Sequence, residues 1–193
     1  MPILLIIAGY LLGSVPFGVI VARIWNIDIR EHGSGNIGAT NVFRILGVFP
    51  GTIVLLLDFL KGTLAVGLGY WMGETSLIVL LMGVSAIFGH MFPVFLGFKG
   101  GKGAATGLGV LAGLTPDIFI IAAVLAAIII FSTRYVSVAS IGTPFVVALL
   151  MFIKDKPLPY TIATLIVVVF VIIRHIPNIK RLIKGTEPRL GGG

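Results

Sequence analysis

The feature that most constrains this chain is a succession of apolar runs long enough to cross a lipid bilayer. They lie at about 3–22, 51–73, 75–96, 104–115, 117–132, 136–153 and 160–176, and a spanning helix needs roughly 20 mostly apolar residues. The runs lack strand alternation and are read as helices. Composition agrees, with 58% of the 193 residues hydrophobic and 11% charged, against about 25% charged in ordinary globular domains. One soluble core of this size cannot hide so many apolar side chains. A soluble enzyme, a nucleic-acid-binding domain and a disordered chain are thereby excluded. The net charge of +7 is read as contact with anionic lipid headgroups and as an orientation signal. With no cysteine, disulfides, thiolate metal sites and a cysteine nucleophile are excluded.

The run from Ala104 to Thr115 covers only ~18 Å by helical rise. Thr115-Pro116-Asp117 reads as a turn, because the residue before proline leaves helical space and Asp favours caps. A single kinked helix over 104–132 is the alternative. Charge decides between them. With seven spans, Arg23, Arg30, Arg44, Lys99, Lys102, Arg134, Arg174, Lys180, Arg181, Lys184 and Arg189 share one side, and only Lys154 and Lys156 occupy the other. That is 11 against 2, with Lys61 inside the membrane; six spans give 7 against 6. Cytoplasmic loops are rich in Lys and Arg. The expectation is an all-α integral membrane protein with seven transmembrane helices, some short, the N-terminus outside and the C-terminus cytoplasmic, as one polytopic domain over 1–193. The first run lacks a basic leader region and is followed by Arg23 and Arg30, so it is read as a retained span rather than a cleaved signal. The pairs Gly9/Gly13 and Gly109/Gly113 suit close helix packing. Gly191-Gly192-Gly193 is assigned no role.

Polar residues concentrate in three segments, all on the cytoplasmic side of this topology. Such clustering at one interface suits work on headgroups or amphiphiles, whereas a carrier places ionisable groups through the midplane. The first segment, Arg30–Arg44, contains Gly33, Gly35 and Gly38 in the letter of a dinucleotide fingerprint. No strand precedes it, so that reading fails. Its glycines still expose backbone N–H groups ahead of a helix start, a setting that favours anions. Ser34, Asn36, Thr40 and Asn41 add neutral donors, and Arg44 adds a guanidinium fork. The alternative is a polar interfacial turn.

The second segment, Gly89–Thr106, carries Lys99-Gly100-Gly101-Lys102-Gly103. It fails the P-loop pattern because Gly103 follows Lys102, yet glycines and ammonium groups before a helix suit oxyanions. The alternative is a positive-inside anchor. His90 is a packing residue, a ligand contact or a base. The third segment, His175–Glu187, holds Lys180, Arg181 and Lys184, as a basic tail on anionic lipid would, but also His175 and Asn178. Glu187 suits a salt bridge better than acid catalysis. Asp58 and Lys61, three residues apart, can neutralise each other on one helix face. Ser140 can reach an oxyanion or bond a neighbouring helix. The three histidines and seven carboxylates show no metal-ligand spacing, and no metal or cofactor is expected.

In these three segments the chain resembles the bacterial membrane acylphosphate:glycerol-3-phosphate acyltransferases. Gly33-Ser-Gly-Asn-Ile-Gly-Ala-Thr-Asn-Val-Phe-Arg44 resembles that family's first motif. Gly89-His-Met-Phe-Pro93 with Phe98-Lys-Gly-Gly-Lys-Gly-Ala-Ala-Thr106 resembles the second. His175-Ile-Pro-Asn-Ile-Lys-Arg-Leu182 with Gly185-Thr-Glu187 resembles the third. The resemblance implies transfer of a fatty acyl group from acyl phosphate to the 1-hydroxyl of glycerol 3-phosphate. The products are 1-acylglycerol 3-phosphate (lysophosphatidate) and phosphate, in phospholipid synthesis at the bacterial inner membrane, with the site facing the cytoplasm. It implies catalytic importance for Ser34, Asn36, Arg44, His175 and Asn178, glycerol 3-phosphate binding by the second-motif glycines and Lys102, and an integrity role for Glu187.

The residues agree chemically. The H-x-x-x-x-D pattern of other glycerolipid acyltransferases is absent, since Phe95 follows His90 by five and Lys180 follows His175 by five. An acyl phosphate is already activated, so direct attack without an acyl-enzyme suffices if the site holds two phosphates and stabilises the leaving charge. His90, His175 or Asn178 would orient or deprotonate the hydroxyl. The rival readings are a transporter or flippase of phosphate-bearing lipids and a structural membrane subunit.

Overall fold

In the computed structural model, which describes residues 1–191, every regular element among the described residues is helical. Gly192 and Gly193 of the terminal glycine run lie outside the described residues. Six segments are long and apolar enough to cross a membrane: Pro2–Ile24, Val48–Trp71, Ser76–Leu96, Pro116–Thr133, Val136–Ile153 and Leu158–Ile183. A shorter apolar helix covers Ala104–Leu114. Large apolar side chains on their outer faces are open, Phe131 at 86% and Trp71 at 80% exposure among them, as expected of surfaces built to face lipid rather than water. The chain divides into two compact units, 1–114 and 115–193.

In the first unit, Pro16 interrupts the first run, giving α1 (Pro2–Ser14) and α2 (Phe17–Ile24). Proline removes a backbone donor and clashes with the preceding turn. The Val15 carbonyl, turned out of the helix, accepts from the Phe17 N–H at 3.1 Å and from Lys61 Nζ at 3.1 Å. After α3 (Ala39–Leu46) come α4 (Val48–Trp71), α5 (Ser76–Met91) and α6 (Ala104–Leu114). The third run thus stops being an α-helix at Met91, ahead of Pro93, and continues only as a 3-10 turn over Val94–Leu96.

Small residues bring the backbones together. A side-chain carbon on Gly13 would lie 2.0 Å from the Ala86 carbonyl oxygen, and one on Gly109 would lie 1.9 Å from that of Phe59. These are the close α1–α5 and α4–α6 approaches that the glycine pairs suggested. Hydroxyls cross-link the same interfaces, Ser85 donating to the Ile6 carbonyl at 2.9 Å and Thr63 to that of Gly109 at 2.9 Å. Such packing and hydrogen bonding replace the hydrophobic drive that a lipid solvent does not supply.

The single kinked helix over 104–132 does not form. α6 ends at Leu114, Thr115 is non-helical (φ −145°, ψ 75°), and α7 begins at Pro116. The second unit contains α7 (Pro116–Thr133), α8 (Val136–Ile153) and α9 (Leu158–Ile183). Asp117 at the start of α7 pairs with Lys154 and Lys156, at 2.9 and 3.3 Å. The seventh run is longer than the sequence suggested, because α9 continues through Pro177 to Ile183. Beyond it, Leu190 N–H donates to the Arg134 carbonyl at 2.7 Å and Arg189 sits 5.3 Å from the Tyr135 ring centroid.

Candidate active site

The first polar segment is a built loop. Asp28 caps a 3-10 turn (Ile29–Glu31) by accepting from Arg30 N–H at 3.1 Å, and its carboxylate also pairs with the Arg30 guanidinium. That hydrogen bonding holds the Asp28 carboxyl well below the usual carboxylate range. Ile29 is buried with Val19, Val21, Ala22, Ile37, Val42 and Val54 and anchors the loop from beneath. Gly33 and Gly35 take positive φ values of 61° and 68°, conformations that glycine adopts without strain.

Asn41, expected as a phosphate donor, is instead the clasp of this loop. Its Oδ1 accepts from Ser34 N–H at 2.9 Å, and its Nδ2 donates to the carbonyls of His32 at 3.0 Å and Ile29 at 3.3 Å. Asn36 Oδ1 accepts from Gly38 N–H at 2.8 Å. That leaves the Asn36 amide nitrogen, the exposed Ser34 hydroxyl and the half-buried Thr40 for other work. Arg44 lies in the last turn of α3, not at its start, and is exposed.

The second segment wraps over His90. Gly101 N–H donates to the His90 carbonyl at 3.0 Å. A side-chain carbon on Gly101 would lie 2.0 Å from His90 Nε2, and one on Gly100 would lie 2.2 Å from the His90 carbonyl oxygen. Gly103 has φ +83°. Lys102 is half-buried and Lys99 exposed. On its other edge the His90 ring meets Lys61 Nζ, 2.9 Å from Nδ1, and Asp58 Oδ1, 3.4 Å away.

In the second unit, His175 and Asn178 are buried one turn apart on one face of α9. His175 Nδ1 lies 2.8 Å from the Val171 carbonyl. A carbonyl only accepts, so Nδ1 carries the proton and Nε2 is the acceptor of the neutral ring. Asn178 Nδ2 donates to Glu187 Oε1 at 2.6 Å, and Arg181 Nε donates to Glu187 Oε2 at 2.7 Å. Ser140 is half-buried on α8. Among the described residues no group of three or more His, Asp or Glu is arranged to hold a metal ion.

The family model described as glycerol-3-phosphate acyltransferase matches residues 3–185. The chain belongs to that family. A glycerol-3-phosphate acyltransferase of Bacillus velezensis is 46% identical over 190 residues, covering 97% of this chain and 96% of the relative. That of Bacillus subtilis is 47% identical over 188 residues, with 97% and 96% covered. Among solved structures, PlsY, described as an integral membrane glycerol 3-phosphate acyltransferase, is 39% identical. Its glycerol 3-phosphate form superposes with a TM-score of 0.94, covering 98% of this chain and 96% of that one. Its lysophosphatidic acid form gives 0.91, covering 98% and 95%.

Within this glycerol-3-phosphate acyltransferase, one association was absent from the sequence reading. Asp58 and Lys61 pair at 2.7 Å as their spacing suggests, but His90 joins them from another helix. The available signal was that all three are polar groups inside apolar runs, where an unpartnered one is costly. Which runs meet at which height is not written in residue spacing.

Glu187 yields a stability prediction for this acyltransferase. Burial of its carboxyl raises the pKa, but the hydrogen bonds from Asn178 and Arg181 and the Arg181 charge outweigh that and lower it. A carboxyl with a depressed folded pKa stabilises the fold above its unfolded pKa, and that contribution is lost as pH falls through the folded value. Glu187→Ala takes one acceptor from the buried Asn178 amide and is expected to cost about 1–3 kcal/mol. Thermal unfolding of the purified protein should show the gap between wild type and variant near neutral pH and its narrowing in acid, where the protonated carboxyl keeps only its neutral hydrogen bonding. A gap unchanged below the carboxylate range would contradict the assignment.

Proposed function

We propose that this chain is an acyl phosphate-dependent enzyme that acylates the 1-hydroxyl of glycerol 3-phosphate. It yields 1-acylglycerol 3-phosphate and inorganic phosphate as a step in phospholipid synthesis. The observation that carries the reading is the full-length match to PlsY, at TM-score 0.94, in a form named for glycerol 3-phosphate. The form named for lysophosphatidic acid corresponds to the product. The acyl phosphate donor follows from the motif resemblance and from the residues themselves. Neither histidine heads an H-x-x-x-x-D motif, and an already activated acyl group needs none.

In this reading Arg44, Lys99 and Lys102 supply positive charge to phosphate oxygens. The N–H groups of Gly35, Gly38 and Gly101 are spent inside the loops, on the His32 carbonyl, Asn36 Oδ1 and the His90 carbonyl. These glycines, with Gly100, therefore serve by letting the backbone come close to phosphate, while the Gly103 amide and the hydroxyls of Thr40 and Ser140 supply neutral donors. Ser34 and Asn36 orient the acyl phosphate rather than attack it. His175 Nε2 accepts from the glycerol hydroxyl, and Asn178, held by Glu187, aligns the attacking oxygen. The hydroxyl attacks the acyl carbon directly and phosphate leaves, its developing charge met by the cations. The chain is one polytopic domain with seven spans, α6 being the short one, N-terminus outside and C-terminus in the cytoplasm. It resides in the bacterial inner membrane with its site on the cytoplasmic side, as the 11-to-2 charge asymmetry supports.

Purified protein supplied with acyl phosphate and glycerol 3-phosphate should release inorganic phosphate and form lysophosphatidate. Acyl thioesters should not replace the donor. Lipid movement without phosphate release would favour a flippase, and an acyl group trapped on Ser34 would overturn direct attack.

A further inference from the structure

Three side chains meet deep in the first unit, beneath the loops that carry the motifs. Asp58 and Lys61 lie one turn apart on α4 and His90 lies in the last turn of α5, with relative exposures of 2%, 2% and 4%. Lys61 Nζ is 2.7 Å from Asp58 Oδ1, 2.9 Å from His90 Nδ1 and 3.1 Å from the Val15 carbonyl oxygen. The contacts to His90 and Val15 are hydrogen bonds and that to Asp58 is an ion pair. The carboxylate and the ammonium offset each other, the condition for tolerating such groups in apolar surroundings.

Asp58 and Lys61 alone would meet that condition, so the third member needs another reason. The ring edge away from Lys61 carries Nε2 and lies against Gly101, where a side-chain carbon would come within 2.0 Å. The His90 carbonyl accepts from Gly101 N–H at 3.0 Å. Ring and backbone of one residue thus brace the glycine turn immediately before Lys102.

We propose that Asp58, Lys61 and His90 form a positioning triad for glycerol 3-phosphate. Lys61, held by Asp58 and by the Val15 carbonyl, fixes the His90 ring. The ring fixes the Gly100–Gly103 backbone, and through it the placement of Lys102 and the loop amides on the substrate phosphate. This rests on the reading of that loop as the glycerol 3-phosphate site. None of the three touches substrate or takes a proton in the reaction. Their effect is geometric, and a displacement of ~1 Å at a reacting site can cost about 100-fold.

The test uses the full chain, purified, with KM measured separately for each substrate. The double variant Asp58→Asn/Lys61→Met removes both charges together and leaves neither stranded. His90→Asn keeps an oxygen for the Lys61 proton but empties the space under Gly101. Each is expected to raise KM for glycerol 3-phosphate about tenfold or more while leaving KM for acyl phosphate within about twofold. Gly101→Ala should have a like effect in wild type and add little in the His90→Asn background, where the ring that it strikes is gone. A structural role alone would lower kcat with the folded fraction and leave both KM values alone, and strict additivity of Gly101→Ala with His90→Asn would separate ring from loop. Either result overturns the proposal. If the double variant does not fold, His90→Asn and Gly101→Ala decide the matter. A wild type that transfers no acyl group to glycerol 3-phosphate removes this inference and the proposed function together. An active wild type whose variants keep that KM removes this inference alone.

Discussion

His175→Phe is expected to lower turnover by about 10²- to 10⁴-fold, the range of a positioned general base, with a much smaller change in either KM. The Nδ1 proton of His175 is committed to the Val171 carbonyl, so the nitrogen that can accept is Nε2. In His90 it is Nδ1 that lies against Lys61 Nζ, 2.9 Å away. His175→Gln separates orientation from proton acceptance, because an amide can hold the hydroxyl but cannot take its proton. If Gln retains most of the turnover, His175 orients only and the departing phosphate is the proton's destination. If both variants turn over at the wild-type rate, His175 has no part in the chemistry.

Arg44→Ala and Lys102→Ala are each expected to reduce kcat/KM by about 10²- to 10³-fold, as loss of one well-placed donor to a developing oxyanion does. The two residues differ in kind. Arg44 presents a planar fork, so Arg44→Lys keeps charge but loses two-point contact and should recover only part of the loss. Lys102 acts as a point charge on a glycine-rich turn, so Lys102→Arg tests whether the space beside Gly101 and Gly103 admits the larger group. Steady-state phosphate release with each substrate varied in turn assigns each cation to a phosphate. Unchanged kcat and KM in both alanine variants would refute the phosphate roles.

The helices were legible because lipid leaves a chain so few options. Apolar runs of the right length located nearly every helix. Pro116 marked the break between α6 and α7, while Pro16 and Pro93 fell inside runs read as 3–22 and 75–96. The misjudged ends lay at prolines, where α5 gave way to a 3-10 turn and α9 ran on through Pro177. Proline weakens a helix by about 3 kcal/mol or more, and neighbouring packing decides whether the helix bears it. The motif residues were legible by type, but what each side chain touches was not. Asn41 has the chemistry of a phosphate ligand, yet its amide is consumed inside its own loop. Asp58 and Lys61 looked self-sufficient as a pair. Their link to His90 depends on how α4 and α5 are staggered, which residue spacing does not encode.

The glycine turns that carry Ser34 and Lys102 lie just beyond the ends of apolar helices, α2 and α5. Such a border serves two reservoirs at once. Glycerol 3-phosphate arrives from a volume and is counted in moles per litre. In the proposed reaction the fatty acyl phosphate arrives along a surface and is counted as a fraction of the lipid. Thinning the second reservoir with inert lipid slows the enzyme even when the total in the tube is constant. The saturation constant for that substrate is therefore a property of the bilayer's area as much as of the protein.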